Sequence, residues 1–417
     1  MFVKTLEAIH TSASKRKLHT YVMVAVFALQ IVGTAAHLGI RPANLLNDFD
    51  NFYLVAQKVW LGDADQLYQH SNYLAMQREA WGNIERFFAW PYPPQYDLFV
   101  APFAQIPLWA AYTLFVTSTL VFFLFVLRAL ARRDFTLLLV VLFPTVLLTA
   151  GDGQNGFLTA GLLGLVCLCL EERPIVAGLA LGAMVIKPHF AIAFALYVIL
   201  RRCWTAAAAA GIVVLASSAF CTIVFGTHIW AGLIQSNQDN IVLLKDGTFP
   251  LYRMISFYSA LSTAGLPSSV AFLGQAIVAV TALGGISFVA YRGASSRIGL
   301  GLTAMLSVCI SPYAFDYDFP IFGIGLALML PVLREAASVR ERGAIYIATI
   351  LVGAFSILQR FILGALDPVG GANALVSLGG FTLVGLIGLL LIIVARPKTH
   401  AHGAELSSFS PETGRGL

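Results

Sequence analysis

The chain's apolar runs constrain its fold more than any other feature. Twelve of them recur, at roughly 21–40, 98–127, 135–150, 156–170, 175–186, 189–200, 204–226, 267–291, 298–311, 318–333, 343–363 and 374–395. A bilayer core takes about 20 apolar residues per helix, and lipid tolerates only helices or closed barrels. Of 417 residues, 58% are hydrophobic and 11% charged, so twelve crossings would leave little apolar sequence for a separate soluble core. This composition excludes a soluble enzyme, a secreted disulfide scaffold and a disordered chain. The expected fold class is an all-α polytopic membrane protein, a bundle of about 12 transmembrane helices. Cys167, Cys169, Cys203, Cys221 and Cys309 sit in apolar sequence with no C-x-x-C spacing, as small buried hydrophobes would.

The cations orient the bundle. Lys4, Lys15, Arg16 and Lys17 precede the first run, which at about 20 residues is longer than the h-region of a cleaved signal peptide. With the amino terminus inside, 18 of the 26 lysines and arginines fall on cytoplasmic segments and eight outside, although the outer loops are longer. The 26 residues from Ile175 to Leu200 could form one long helix, but a single crossing there gives 11 cations inside against 14 outside. Two crossings are therefore expected, each arm about 18 Å long at 1.5 Å per residue. Lys187-Pro188-His189 at their junction should then lie below the outer surface, where broken helix is tolerated only beside protein or a wet cavity.

Three segments follow: a cytoplasmic stretch at 1–20, a membrane domain at 21–396, and a Ser-, Gly- and charge-rich tail at 397–417 that is expected to be disordered. Within the membrane domain, residues 41–97 form the longest polar segment. There Phe52, Tyr53, Val55, Ala56, Val59 and Trp60 recur at helical spacing, as amphipathic helices on the outer leaflet would. No internal repeat is visible.

In this topology the polar clusters all open to one side. They are Asn47-Asp48-Phe49-Asp50, Trp90-Pro91-Tyr92-Pro93-Pro94, Gly151-Asp152-Gly153-Gln154-Asn155, Lys187-Pro188-His189, the loop from His228 to Tyr258, and Ser311 to Asp318. Thirteen of the 21 acids lie on that side. Acids, amides and a deep lysine placed by six loops at one face describe a single active-site cavity.

These residues carry a resemblance. Asp-Phe-x-x-x-Tyr-x-x-Ala at 48–56, Leu61-Gly62, Leu67-Tyr68, Tyr92-Pro93-Pro94 with Pro102 and Pro107, Gly153-Gln154-Asn155, Arg173-Pro174 with Ala177-Gly178, Lys187-Pro188, and Ser311-Pro312-Tyr313 with Tyr317-Asp318 follow in an order that resembles glycosyltransferase family 87. Those are bacterial hexosyltransferases of GT-C architecture that use polyprenyl-phosphate sugars. The resemblance spans roughly 45–320. It implies an inverting transfer of a hexose, usually mannose, from a polyprenyl-phosphate donor to a lipid or glycan acceptor, at the extracytoplasmic face of a bacterial inner membrane. It also implies that both termini are cytoplasmic and that Asp48 is the general base. A histidine that some members carry near the Ser-Pro segment is replaced here by Asp316, Tyr317 and Asp318.

Each residue also has a plainer reading. Asp48 could cap a helix, with Asp50 as the alternative base. Lys187 could snorkel to the interface, but its short arms favour a phosphate contact. His189 could bond only backbone. Tyr92 sits in a rigid proline turn and could line the cavity. Gln154 and Asn155 belong to a turn whose amides suit sugar hydroxyls. Arg253 reads as a headgroup or loop-stabilising residue rather than a catalytic one. Asp316 and Asp318 resemble a D-x-D metal motif, but Asp318 precedes Pro320 as a helix cap would. The substrate-contacting set expected from sequence is thus Asp50, Tyr92, Gln154, Asn155, Lys187, His189, Asp316 and Asp318 around Asp48, with no metal and no cofactor. No P-loop, H-E-x-x-H or nucleic-acid signature is present. The rival reading is a transporter or lipid flippase, which would also concentrate charge within its spans.

Overall fold

A computed structural model describes residues 12–40, 46–82, 87–366 and 375–396, with 360–366 as backbone only. The disorder expected for 397–417 falls outside them. Among the described residues the chain is helical, and its one extended pairing is an isolated antiparallel bridge between Met254 and Phe315. The helices are α1 (Ala13–Ile40), α2 (Asp48–Leu61), α3 (His70–Trp81), α4 (Pro94–Val100), α5 (Leu108–Ala131), α6 (Phe135–Val141), α7 (Phe143–Asp152), α8 (Gly156–Cys169) and α9 (Pro174–Ala183). They continue as α10 (Pro188–Leu200), α11 (Trp204–Phe225), α12 (His228–Lys245), α13 (Phe257–Thr263), α14 (Ser268–Tyr291), α15 (Ser296–Ser307), α16 (Pro320–Ala336), α17 (Val339–Leu366) and α18 (Leu378–Ala395).

Among the described residues, seven helical runs are long and apolar enough to cross a membrane, and Gly156–Cys169, Pro174–Ile186 and Pro188–Leu200 are shorter apolar helices. The protein is an all-α polytopic membrane protein. Leu215 on α11 is 72% exposed, Ile223 80% and Val280 on α14 69%, and such apolar faces suit lipid.

Prolines set several boundaries. The second apolar run is not one helix: its first residues end α4 at Val100, a 3₁₀ turn with Pro102 near its start covers Ala101–Gln105, and Pro107 caps α5, which starts at Leu108. Nothing between Ser14 and Tyr21 breaks a helix, so α1 already begins at Ala13, inside the stretch read as a terminal segment. The spacing in 48–60 does give a helix, but Phe52, Val55 and Ala56 are buried among protein side chains instead of lying on lipid.

The chain breaks at Lys187, whose φ of −141° and ψ of 72° leave helical space just before Pro188. Glycine contacts give the direction of travel on either side. A methyl group on Gly178 would lie 2.4 Å from the Ala206 carbonyl oxygen, and one on Gly182 would lie 2.6 Å from Val213 Cβ. Partner numbers rise together, so α9 and α11 run parallel through a small-residue seam. The intervening α10 must therefore run back, and Arg173 and Arg201 share one end of the bundle with Lys187 at the other.

Further contacts gather loops at the arginine end. Arg334 Nη1 pairs with Asp134 Oδ1 at 2.6 Å, Arg297 Nε donates to the Leu328 carbonyl at 2.8 Å, Arg342 Nη1 donates to the Ala337 carbonyl at 2.8 Å, and Ser296 Oγ donates to Glu171.

Candidate active site

The opposite end is organised around Arg253. It closes a 3₁₀ turn, Leu251–Arg253, and the amide of Ile255 donates to the Ala314 carbonyl at 2.9 Å, which fixes this loop against the 311–318 loop. The guanidinium is buried. Its Nη1 lies 2.7 Å from Asp48 Oδ2, its Nη2 2.5 Å from Asp152 Oδ2, and its Nε 3.4 Å from Asp316 Oδ2. Burial works against the charge, but Asp152, Asp316 and Asp48 outweigh it and hold the guanidinium pKa well above its ordinary value. Three carboxylates from three loops thus share one planar fork, a geometry that lysine cannot supply.

Asp48 is the first residue of α2, and its Oδ2 also accepts from Gln154 Nε2 at 3.2 Å. Asp50 turns the other way. Its Oδ2 accepts from the Asn47 amide at 2.6 Å while Asn47 Oδ1 accepts from the Phe49 amide, and Asn47 caps the helix. The structure therefore places Asp48 in the cavity wall and Asp50 in the cap. Gly153 ends α7 at φ +67°, and its Cα lies so close to Phe49 that a methyl there would meet Phe49 Cβ at 2.7 Å. Gly156 opens α8 against the Tyr317 carbonyl, 1.7 Å from where a Cβ would stand, so only glycine lets these turns meet. Asn155 between them is fully buried beside Tyr92.

The acids of the D-x-D pattern go to different cations. Asp316 bonds Arg253. Asp318 Oδ1 lies 2.6 Å from Lys187 Nζ, and its Oδ2 accepts from the Phe315 amide at 3.1 Å. Asp318 thus closes the 3₁₀ turn Asp316–Asp318 and pairs with Lys187, and contrary to expectation it does not cap the Pro320 helix, whose N-cap position is Phe319. Asp316 was expected to face the cavity alone, but it is 1% exposed and held by Arg253. Among the described residues no three His, Cys, Asp or Glu side chains group as a metal ion would require. The Lys187 ammonium, itself buried, lies 4.6 Å from the Tyr317 ring centre and 5.9 Å from that of Tyr92.

The Trp90–Pro94 wall is anchored by Asp97, which accepts from Trp90 Nε1 and Tyr68 OH, each at 2.8 Å. Burial pushes the Asp97 carboxyl up to about 7, with those two hydrogen bonds pulling the other way. A folded-state pKa above the unfolded value gives stability that is complete below the ordinary carboxylate range and lost as pH rises through about 7. Thermal unfolding in detergent is thus expected to move to lower temperature as pH rises from about 4 to about 7 and to level off above it, and Asp97→Asn to flatten that dependence. An unchanged slope in the variant would remove Asp97 from the account.

Two cavities meet at Tyr92 and Tyr317. One, about 80 Å³, is lined by Asp48, Asn51, Gln154 and Arg253. The other, about 280 Å³ and mostly apolar, is lined by Lys187, His189, Leu233, Ile241 and Tyr313. His189 Nε2 and both amide atoms of buried Asn240 have no hydrogen-bond partner there.

Sequence reading singled out Asp48, Gln154, Lys187, His189 and Tyr92 at these walls, and passed over Arg253 and Asp152. Residues 90–312 of the chain match glycosyltransferase family 87. The chain belongs to that family. No curated protein and no solved structure matches it. As a family 87 member it is a membrane glycosyltransferase, so the transporter reading falls away, and it requires a sugar donor and an acceptor.

Proposed function

We propose that this family 87 enzyme transfers a hexose, with mannose the first candidate, from a polyprenyl-phosphate donor to a hydroxyl of a lipid or glycan acceptor, with inversion at the anomeric carbon. The observation that carries this reading is the junction of the two cavities. A mostly apolar chamber bearing Lys187 opens beside a smaller one whose wall carries Asp48, Asn51, Gln154 and Arg253, and a lipid monophosphate sugar has a matching sequence of chain, charge and hydroxyls.

Asp48 takes the proton of the acceptor hydroxyl as its oxygen attacks the anomeric carbon, and the bond from that carbon to the phosphate oxygen breaks on the far side. Lys187 offers three donors, of which Asp318 engages one, so the ammonium can bind the departing lipid phosphate. Arg253 is a positioning residue: its fork fixes the Asp48 carboxylate. Tyr92, Gln154 and His189 border the sugar, and Asn155 lies behind Tyr92, outside both cavities. The arginine-rich end faces the cytoplasm, together with both termini, and the site opens on the far side of a bacterial inner membrane. The membrane domain spans 21–396.

The test is the product's anomeric configuration, read by NMR after transfer from a donor of known configuration in EDTA. Inversion at an undiminished rate is expected, because Lys187 and Arg253 supply the positive charge. Retention would overturn direct displacement, and loss of activity restored by magnesium or manganese would overturn the metal-independent reading.

A further inference from the structure

A third cavity, about 460 Å³, shares none of its lining with the two described above and lies between α1 and the turn carrying the acids. Gln30, Thr34 and His37 line it from α1 at spacings of four and three residues, one face of a helix. Gln30 Nε2 donates to Thr34 Oγ1 at 3.3 Å and lies against Gly151, where a methyl group would meet it at 2.9 Å. Asn47 Nδ2 closes the floor by donating to the Gly151 carbonyl at 2.7 Å. Asn47 and Gly151 are the chain neighbours of Asp48 and Asp152, so the floor of this groove is the backbone that presents the acids. Toward the middle of α1 the lining turns apolar, at Val26 and Leu29, the latter 71% exposed.

A groove that grades from apolar to amide and hydroxyl along a membrane-spanning helix fits an amphiphile lying parallel to that helix. Polar side chains inside a span serve either helix packing or a ligand, and the cavity beside these favours a ligand. Resting on the glycosyl-transfer reading above, we propose that this groove holds the acceptor, and that the acceptor is a membrane amphiphile. Its hydroxylated head lies against Gln30, Thr34 and Asn47 and its chain against Val26 and Leu29. The acceptor head then lies against the backbone at Asn47 and Gly151, next in sequence to Asp48 and Asp152, and the bond changes are those already given.

The probe is a long-chain alkyl glycoside bearing a diazirine, photolysed with the full-length protein in liposomes and mapped by peptide mass spectrometry. Labelling is expected within Gln30–His37, displaced by unlabelled alkyl glycoside and not by a methyl glycoside. The plug variant is Gly33→Leu, since a Cβ at Gly33 meets nothing within 4 Å and the added side chain fills the groove without strain. It should abolish labelling and raise the KM for the alkyl glycoside, while the KM for a polyprenyl-phosphate hexose and its slow hydrolysis stay at wild-type values. Gln30→Leu should raise the acceptor KM about tenfold through lost hydrogen bonds. Labelling elsewhere, or Gly33→Leu and Gln30→Leu that both keep the wild-type acceptor KM, would overturn the proposal. Labelling at Gln30–His37 without turnover of any lipid-phosphate hexose would uphold the groove and overturn the donor instead.

Discussion

Asp48→Asn is expected to reduce transfer by about 10²–10⁴-fold, the usual cost of losing a general base. The asparagine keeps the side chain's size and can still accept from Arg253 and Gln154, so membrane insertion and folding should survive. Asp50→Asn is the matched control, because the Asp50 carboxylate is committed to the Asn47 amide. It should weaken the helix cap and leave turnover near wild type. Steady-state rates for the two variants decide the matter. Wild-type turnover in Asp48→Asn with loss in Asp50→Asn would mean that the base is the other aspartate.

Arg253→Gln should be costly in two ways. Removing one partner of a buried ion pair destabilises by about 3–5 kcal/mol, and here three carboxylates lose their common partner. The second cost is in rate, about 10²–10³-fold, because Asp48 is no longer held in place. Arg253→Lys restores the charge but reaches fewer of the three acids, so it should recover stability more fully than kcat. Thermal unfolding in detergent and kcat, measured on the same preparations, test this. A stable, fully active Arg253→Gln would show that the carboxylate cluster is incidental.

The contrast between Asp48 and Arg253 shows what a sequence exposes and what it hides. Apolar runs are written in composition, so the all-α membrane class was legible, as was the break at Lys187-Pro188. The choice between Asp48 and Asp50 was partly legible too, since Asn47 with an acid three residues on is a capping-box pattern. Arg253 was not legible. It stands in a polar loop 205 residues from Asp48, and nothing local shows that the 251–255 and 314–315 backbones pair or that three distant acids surround one guanidinium. Asp318 was read as the cap of the Pro320 helix, but one of its oxygens closes the preceding 3₁₀ turn and the other meets Lys187 across 131 residues. The start of α5 was misplaced because hydropathy ignores the prolines at 102 and 107.

The proposed reaction requires that the donor sugar arrive on a lipid monophosphate and leave it at the Asp48 cluster. Purified protein in liposomes, given a polyprenyl-phosphate hexose or the corresponding nucleotide sugar with a hydroxyl acceptor, tests it by release of polyprenyl phosphate. The account predicts release from the lipid-linked donor, abolished by Asp48→Asn, and none from the nucleotide sugar. Transfer from the nucleotide sugar with no turnover of any lipid-linked donor would contradict it.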